Sequence, residues 1–207
     1  MLMRALSDVF TDFKTALTTP EVTIGDILEA LHERGFGFIL LLFALPMALP
    51  IPVPPGINIL LATPLLILTA QQALGRHTIW MPERLKRKAI SRNKLCGVID
   101  SALPLLKRIE ALTRPRLGFI TDGLFSNLIG ILGLIMALTV CIPLPLTNTV
   151  PSMGIALMAL GVIMRDGLAV IAGALIGTAW VCMLAFAVLF FGAEGLDIVK
   201  ETIKSFF

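Results

Sequence analysis

The chain has 207 residues, of which 57% are apolar and 15% charged, and its mean hydropathy is +0.91. Soluble domains run to about 45–50% apolar and about 25% charged, so this composition asks for a bilayer as solvent. The apolar excess and a net charge of only +3 exclude a disordered chain, and collagenous and nucleic-acid-binding classes fail on the same figures. Cys96, Cys141 and Cys182 have neither metal-ligand nor redox spacing, so no metal and no cofactor is expected.

Residues 1–35 mix acids and bases, without the basic start and early apolar core of a signal peptide. Leu6, Val9, Phe10, Phe13 and Leu17 share one face of a predicted helix. A second helix starts at Thr23, which forms a capping-box pattern with Asp26 and precedes a stripe of Ile24, Ile27, Leu28 and Leu31. Both read as amphipathic interfacial helices and not as spans.

Residues 36–75 form the first apolar block, charge-free throughout and broken by Pro46, Pro50, Pro52, Pro54, Pro55 and Gly56. Proline lacks the amide donor and clashes with the preceding turn, so no helix continues through that run. The flanks 36–49 and 57–70 have 14 residues each, about 21 Å of helix against a hydrocarbon core of about 30 Å. Two short helices meeting at a broken tip are the expectation.

Residues 76–122 are a basic linker, holding 11 of the 17 Lys and Arg residues. Short basic connections stay in the cytoplasm, and Trp80 suits the headgroup level. Ile99, Leu103, Leu106 and Ile109 predict a further helix along the membrane surface. The second block, 123–165, is charge-free as far as Met164 and breaks at Ile142-Pro143-Leu144-Pro145-Leu146-Thr147-Asn148. Residues 168–191 are one uninterrupted transmembrane helix by length, and 193–207 read as an amphipathic tail.

Ile51-Pro52-Val53-Pro54 and Ile142-Pro143-Leu144-Pro145 match in context. Each lies in a charge-free block and has an asparagine close behind, Asn58 and Asn148. Each block opens on a charged residue and a glycine and ends in a charged turn. The fold class expected is therefore an all-α integral membrane protein of two repeated units of proline-broken, re-entrant-like helices, with amphipathic interfacial helices around them. An inverted relation between the units is expected, as in many transporters; it requires an odd number of crossings between them. Two hairpins would instead place both tips on one side. A helix broken at membrane depth leaves amides and carbonyls that survive only inside protein or against a polar cavity.

Several stretches together resemble the ExoD family of bacterial exopolysaccharide-synthesis membrane proteins. They are Arg34-Gly35-Phe36-Gly37, Leu40-Leu41-Leu42-Phe43-Ala44-Leu45-Pro46, Ile51-Pro52-Val53-Pro54-Pro55-Gly56, Pro64-Leu65-Leu66, Gln71-Gln72, Gly75-Arg76, Trp80-Met81-Pro82, Arg114-Pro115-Arg116-Leu117, the second break and Arg165-Asp166-Gly167. The resemblance covers about residues 30–170 in order and departs at Thr63, where a glycine is expected. It implies a multi-pass protein of the bacterial inner membrane with a part in exopolysaccharide production, and brings no reaction with it.

The candidate ligand or gating residues are Pro52, Pro54, Gly56, Asn58, Pro143, Pro145, Thr147, Asn148, Arg34, Arg76, Arg165 and Asp166. Asn58 and Asn148 either cap a half-helix or touch a ligand. Arg34 and Arg76 anchor the first block or together grip a phosphate. Arg165 and Asp166 form a solvated turn or a gate. No nucleophile–base set, intramembrane carboxylate pair or phosphate loop is present, so no enzyme is expected. Transport or flipping of a small anion, ion or lipid-linked intermediate is one functional expectation. An assembly or regulatory subunit for exopolysaccharide-synthesis enzymes is the other. Membrane lipid and a second copy of the chain, as a homodimer, are the remaining partners expected; nucleic acid is not.

Overall fold

A computed structural model describes residues 6–17, 19–31, 35–48, 57–76, 79–112, 115–141 and 148–206. The described chain is mostly helical. In order it contains α1 (Leu6–Ala16), β1 (Glu21–Thr23), α2 (Ile24–Leu31), α3 (Gly35–Ala48), α4 (Ile57–Ala73), α5 (Glu83–Lys86), β2 (Ala89–Ser91), α6 (Arg92–Leu112), a 3-10 turn at Gly118–Thr121, α7 (Gly123–Val140), α8 (Thr149–Met164) and α9 (Gly167–Phe206).

The N-terminal segment and the basic linker fold together into a small cap. The capping box forms as expected: the Thr23 amide donates to Asp26 Oδ2 at 2.8 Å, and the Asp26 amide donates to Thr23 Oγ1 at 3.2 Å. Before it, β1 pairs antiparallel with β2, setting Val22 against Ile90. Neither three-residue strand is long enough to show an alternating pattern. Helix α1 lies on α6, where Glu110 accepts from the Ser7 amide and hydroxyl at 2.8 and 2.6 Å, and Lys14 pairs with Asp100 at 2.6 Å. Phe10, Leu17, Val22, Leu95 and Ile99 make the apolar centre of this cap. Phe10 also stacks on Phe38 of α3, joining the cap to the rest of the fold.

Helices α3, α4, α7 and α8 form a four-helix bundle in which α3 packs chiefly on α8 and α4 on α7. Glycine sets these close approaches. A methyl group at Gly130 of α7 would overlap the backbone nitrogen of Ala73, and one at Gly133 would stand 2.9 Å from Thr69 of α4. Gly37 of α3 lies against Ala159 and Ile163 near the end of α8, and Gly154 of α8 lies against Met136 of α7. Each neighbouring pair therefore runs antiparallel. The starts of α3 and α7 and the ends of α4 and α8 meet at one end, the base, which carries the cap. Ala48, Ile57, Val140 and Asn148, the residues flanking the two proline breaks, stand at the other end, the tip. Leu40, Ala44, Leu65, Met136, Ile155 and Met158 fill the space between.

This geometry corrects the expected inverted arrangement. Among the described residues the helix pairs α3–α4 and α7–α8 both run from base to tip and back to base. The physical reason lies in the linker. It folds back into the cap beside the base and returns the chain to the end from which it left.

Helix α9 leaves the base and runs antiparallel to α8, with Gly161 against Val170 and Gly154 against Gly173 and Gly177. Its 40 residues amount to about 60 Å, so it continues beyond the tip. The amphipathic tail expected at 193–207 is the continuation of this helix and not a separate element. Gly123–Val140 and Gly167–Phe190 are long and apolar enough to cross a membrane. Their outer faces carry exposed Leu124, Leu128, Leu138, Leu175 and Leu189, a girdle of the kind that lipid covers.

Candidate functional site

At the base, Gln71 and Asp166 find partners, while Gln72 leaves one buried atom without one. Gln71 ends α4 buried, and its side chain clasps Trp80: the Trp80 amide donates to Gln71 Oε1 at 2.6 Å, and Gln71 Nε2 donates to the Trp80 carbonyl at 3.1 Å. Gln71 and Gln72 are thus buried at the base. After them Gly75 takes a left-handed conformation, φ +72°, which closes the helix end and leaves Arg76 exposed. Gly35 and Ile79 lie side by side, so the two ends of the first block return to one surface.

The α8–α9 turn is also a structural joint. Arg165 terminates α8 in a left-handed conformation, φ 50°, and its guanidinium lies 3.5 Å from Asp122. Asp166 is buried and accepts from the Leu168 amide at 3.0 Å, capping α9. The Gly167 amide donates to the Arg116 carbonyl at 2.7 Å, tying the linker's end to this turn. Outside the bundle, the two hydrogen bonds from Thr23 hold the Asp26 carboxyl below its ordinary range.

At the tip the situation reverses. Asn148 precedes α8 and is 6% exposed, yet its side chain makes no cap, and Oδ1 has no hydrogen-bond partner. Ser152, four residues on and so on the same helix face, is 0% exposed, and its hydroxyl is also unpartnered. The indole N–H of Trp180 on α9 is buried without a partner as well. Trp180 stands one turn beyond Gly177, which brings it level with the first turn of α8. Such groups are costly in an apolar surrounding, about 1–3 kcal/mol each; Ser152 shares the α8 face of Ala159 and Ile163, which meet Gly37 of α3, and Trp180 shares the α9 face of Gly173 and Gly177, which meet Gly154. A fourth orphan atom, Gln72 Oε1, belongs to the base, beside a cavity of about 10 Å³ lined by Gly37, Thr69, Gly133 and Met158. That is the scale of one water molecule.

Of the residues singled out by sequence, Pro52, Pro54, Gly56, Pro143, Pro145, Thr147 and Arg34 lie outside the described residues. Asn58 stands in the first turn of α4; its side chain lies outside them too. Asn148 is placed at the tip, whereas Arg76, Arg165 and Asp166 are placed at the base, so these four do not form one site. Ser152, Trp180 and the glutamine clasp were not anticipated. Only the spacing of Ser152 from Asn148, one helical turn, carried a signal.

A family model described as "Exopolysaccharide synthesis, ExoD" matches residues 6–186. The chain belongs to the ExoD family. It is 34% identical over 192 residues to the uncharacterized protein slr1875 of Synechocystis sp., covering 89% of each chain. It is 29% identical over 174 residues to Protein ExoD of Rhizobium meliloti, covering 82% of this chain and 72% of that one. No solved structure matches it. The family ties the chain to exopolysaccharide synthesis, and its two long apolar helices agree with a membrane protein.

Proposed function

We propose that this ExoD-family chain is a multi-pass protein of the bacterial inner membrane that moves a small anion, an ion or a lipid-linked intermediate of exopolysaccharide synthesis past its two IPxP breaks. The observation that supports the reading is that the helix ends flanking both breaks stand together at the tip, where Asn148 and Ser152 hold buried polar atoms without partners. Charge-free helices exclude a fixed proton relay across the bundle, so movement rests on neutral hydrogen-bonding groups and helix ends. The exposed bases of the cap, among them Arg84, Arg87, Lys88, Arg92 and Lys94, favour a cytoplasmic base in this reading, by the positive-inside rule.

The test is flux in vesicles reconstituted with the purified chain, using a fluorescent polyprenyl-phosphate sugar and inorganic phosphate as separate probes. Flux above that of protein-free vesicles, reduced by Asn148→Ala and Pro145→Ala, is expected. Flux equal to that of protein-free vesicles with both probes contradicts the reading.

The same exposed bases favour a second reading, an assembly subunit that holds cytoplasmic synthesis enzymes through the cap. It predicts co-purification with a glycosyltransferase or kinase, lost on reversing Arg87, Lys88 and Arg92 to glutamate. Recovery of the chain alone argues against it.

A further inference from the structure

The basic linker is fastened to the base at both of its ends, and each fastening presents an exposed aromatic within four residues of an exposed arginine. At the first, the Gln71 side chain holds the Trp80 backbone at the end of α4. The Trp80 side chain is nevertheless 58% exposed, and Arg76 before it is exposed as well. At the second, the Gly167 amide holds the Arg116 carbonyl. Arg116 and Phe119 are both exposed there, and Phe119 stands edge-on to Phe125 of α7. Exposed aromatics beside bases are the composition of a headgroup boundary.

Between the two fastenings lies the densest charge of the chain. Residues 84–94 carry six bases, Arg84, Lys86, Arg87, Lys88, Arg92 and Lys94, and no acid. Glu83 pairs with Lys86 at 3.4 Å and with Arg87 at 3.9 Å. Arg84, Lys88, Arg92 and Lys94 are exposed and have no ion-pair partner among the described residues. The cap keeps this charge close to the bundle. The Lys86 carbonyl lies against Gly25 of α2, and Leu28, further along α2, lies against Gly35 at the start of α3. One helical turn, about 5.4 Å, and two van der Waals contacts thus separate the run from the base. That is the scale of a Debye length, about 8 Å at physiological salt, plus the reach of a lysine.

We propose that the base is a docking surface for anionic phospholipid headgroups. Trp80 and Phe119 enter the boundary between headgroups and chains, and Arg76, Arg116 and the basic run meet the phosphates. This rests on the reading of a membrane protein whose base stands at one leaflet, and not on the movement of a substrate. Charge complementarity selects the lipid: a zwitterionic headgroup has no net charge to balance the unpaired bases, whereas an anionic leaflet attracts each of them.

The test reads Trp80 fluorescence in the full chain carrying Trp180→Phe, which leaves a single tryptophan. The protein is reconstituted in phosphatidylcholine vesicles with a minor fraction of one brominated lipid, phosphatidylglycerol or phosphatidylcholine. Bromine near the headgroup is expected to quench Trp80 more than bromine at the chain ends. Brominated phosphatidylglycerol should quench as strongly as an about fivefold larger fraction of brominated phosphatidylcholine, the gain from one base near an anionic surface. The preference should shrink as salt is raised. The triple variant Arg84→Gln, Lys88→Gln, Arg92→Gln should lose most of it, with quenching by brominated phosphatidylcholine unchanged because insertion is intact. Equal quenching by the two lipids overturns the surface and leaves the exposed bases to a protein partner. A preference that survives high salt or the triple substitution overturns it too. No quenching by any brominated lipid overturns both the surface and the placement of the base, whereas absence of flux in the same vesicles contradicts transport alone and leaves the surface standing.

Discussion

The two ends of the bundle are built from the same helices and differ in how their polar groups are satisfied: of the four orphan buried side-chain atoms among the described residues, one, on Gln72, lies at the base. At the base, Gln71 closes on the Trp80 backbone and Asp166 caps α9, while in the adjoining cap Glu110 holds Ser7. At the tip, Asn148 Oδ1, Ser152 Oγ and Trp180 Nε1 are buried atoms without partners. A buried polar group with a partner stabilises modestly, and one without a partner costs more than that gain. The base is therefore organised for stability, and the tip keeps an unfavourable arrangement of the sort found where a ligand supplies the missing partner.

Substitutions that break or sharpen this contrast can be ranked by size. Gly130→Ala forces a methyl group into the Ala73 backbone and is expected to cost about 3 kcal/mol by overpacking α7 on α4, seen as a lower midpoint in denaturant. Gln71→Leu removes both bonds of the clasp and should cost about 2 kcal/mol. At the tip the sign reverses: Ser152→Ala is expected to gain about 1 kcal/mol in the same assay. A loss there of the size predicted for Gln71→Leu would erase the distinction between the ends.

The smallest effect belongs to the cap. Removing the Asp26 carboxylate with Asp26→Ala should cost about 0.5–1 kcal/mol at neutral pH. Its folded pKa is lowered by the bonds from Thr23, so the carboxylate's contribution is fully present above the unfolded carboxyl value of about 3.9. It is lost as pH falls through the lower folded value. Wild type and Asp26→Ala should therefore converge in stability on acidification, measured by unfolding midpoints from pH 7 to 3.

Much of this fold was legible in the sequence. The flank expected at 36–49 is α3 at Gly35–Ala48, and the capping box at Thr23 forms with both hydrogen bonds. Charge-free runs and proline clusters act locally, so they mark helix limits well. The relative direction of the two units was not legible, because it depends on contacts distant in sequence, such as Gly37 with Ile163 and Gly130 with Ala73. Nor was the tip site complete. Asn148 stood out beside prolines, whereas Ser152 reads as an ordinary helical serine until its burial is known. Trp180 reads as one more aromatic in a span. The glutamine clasp escaped for the same reason, since its partner is a backbone group that composition cannot reveal.

The central claim is that the helix ends flanking both proline breaks share one end of the bundle. Spin labels at positions 53 and 144, in a chain with Cys96, Cys141 and Cys182 replaced by alanine, measure it directly in lipid. One or two interhelix spacings, about 10–20 Å, are expected between the labels. A separation of a helix length or more, about 25 Å upward, would place the breaks at opposite ends and contradict the account.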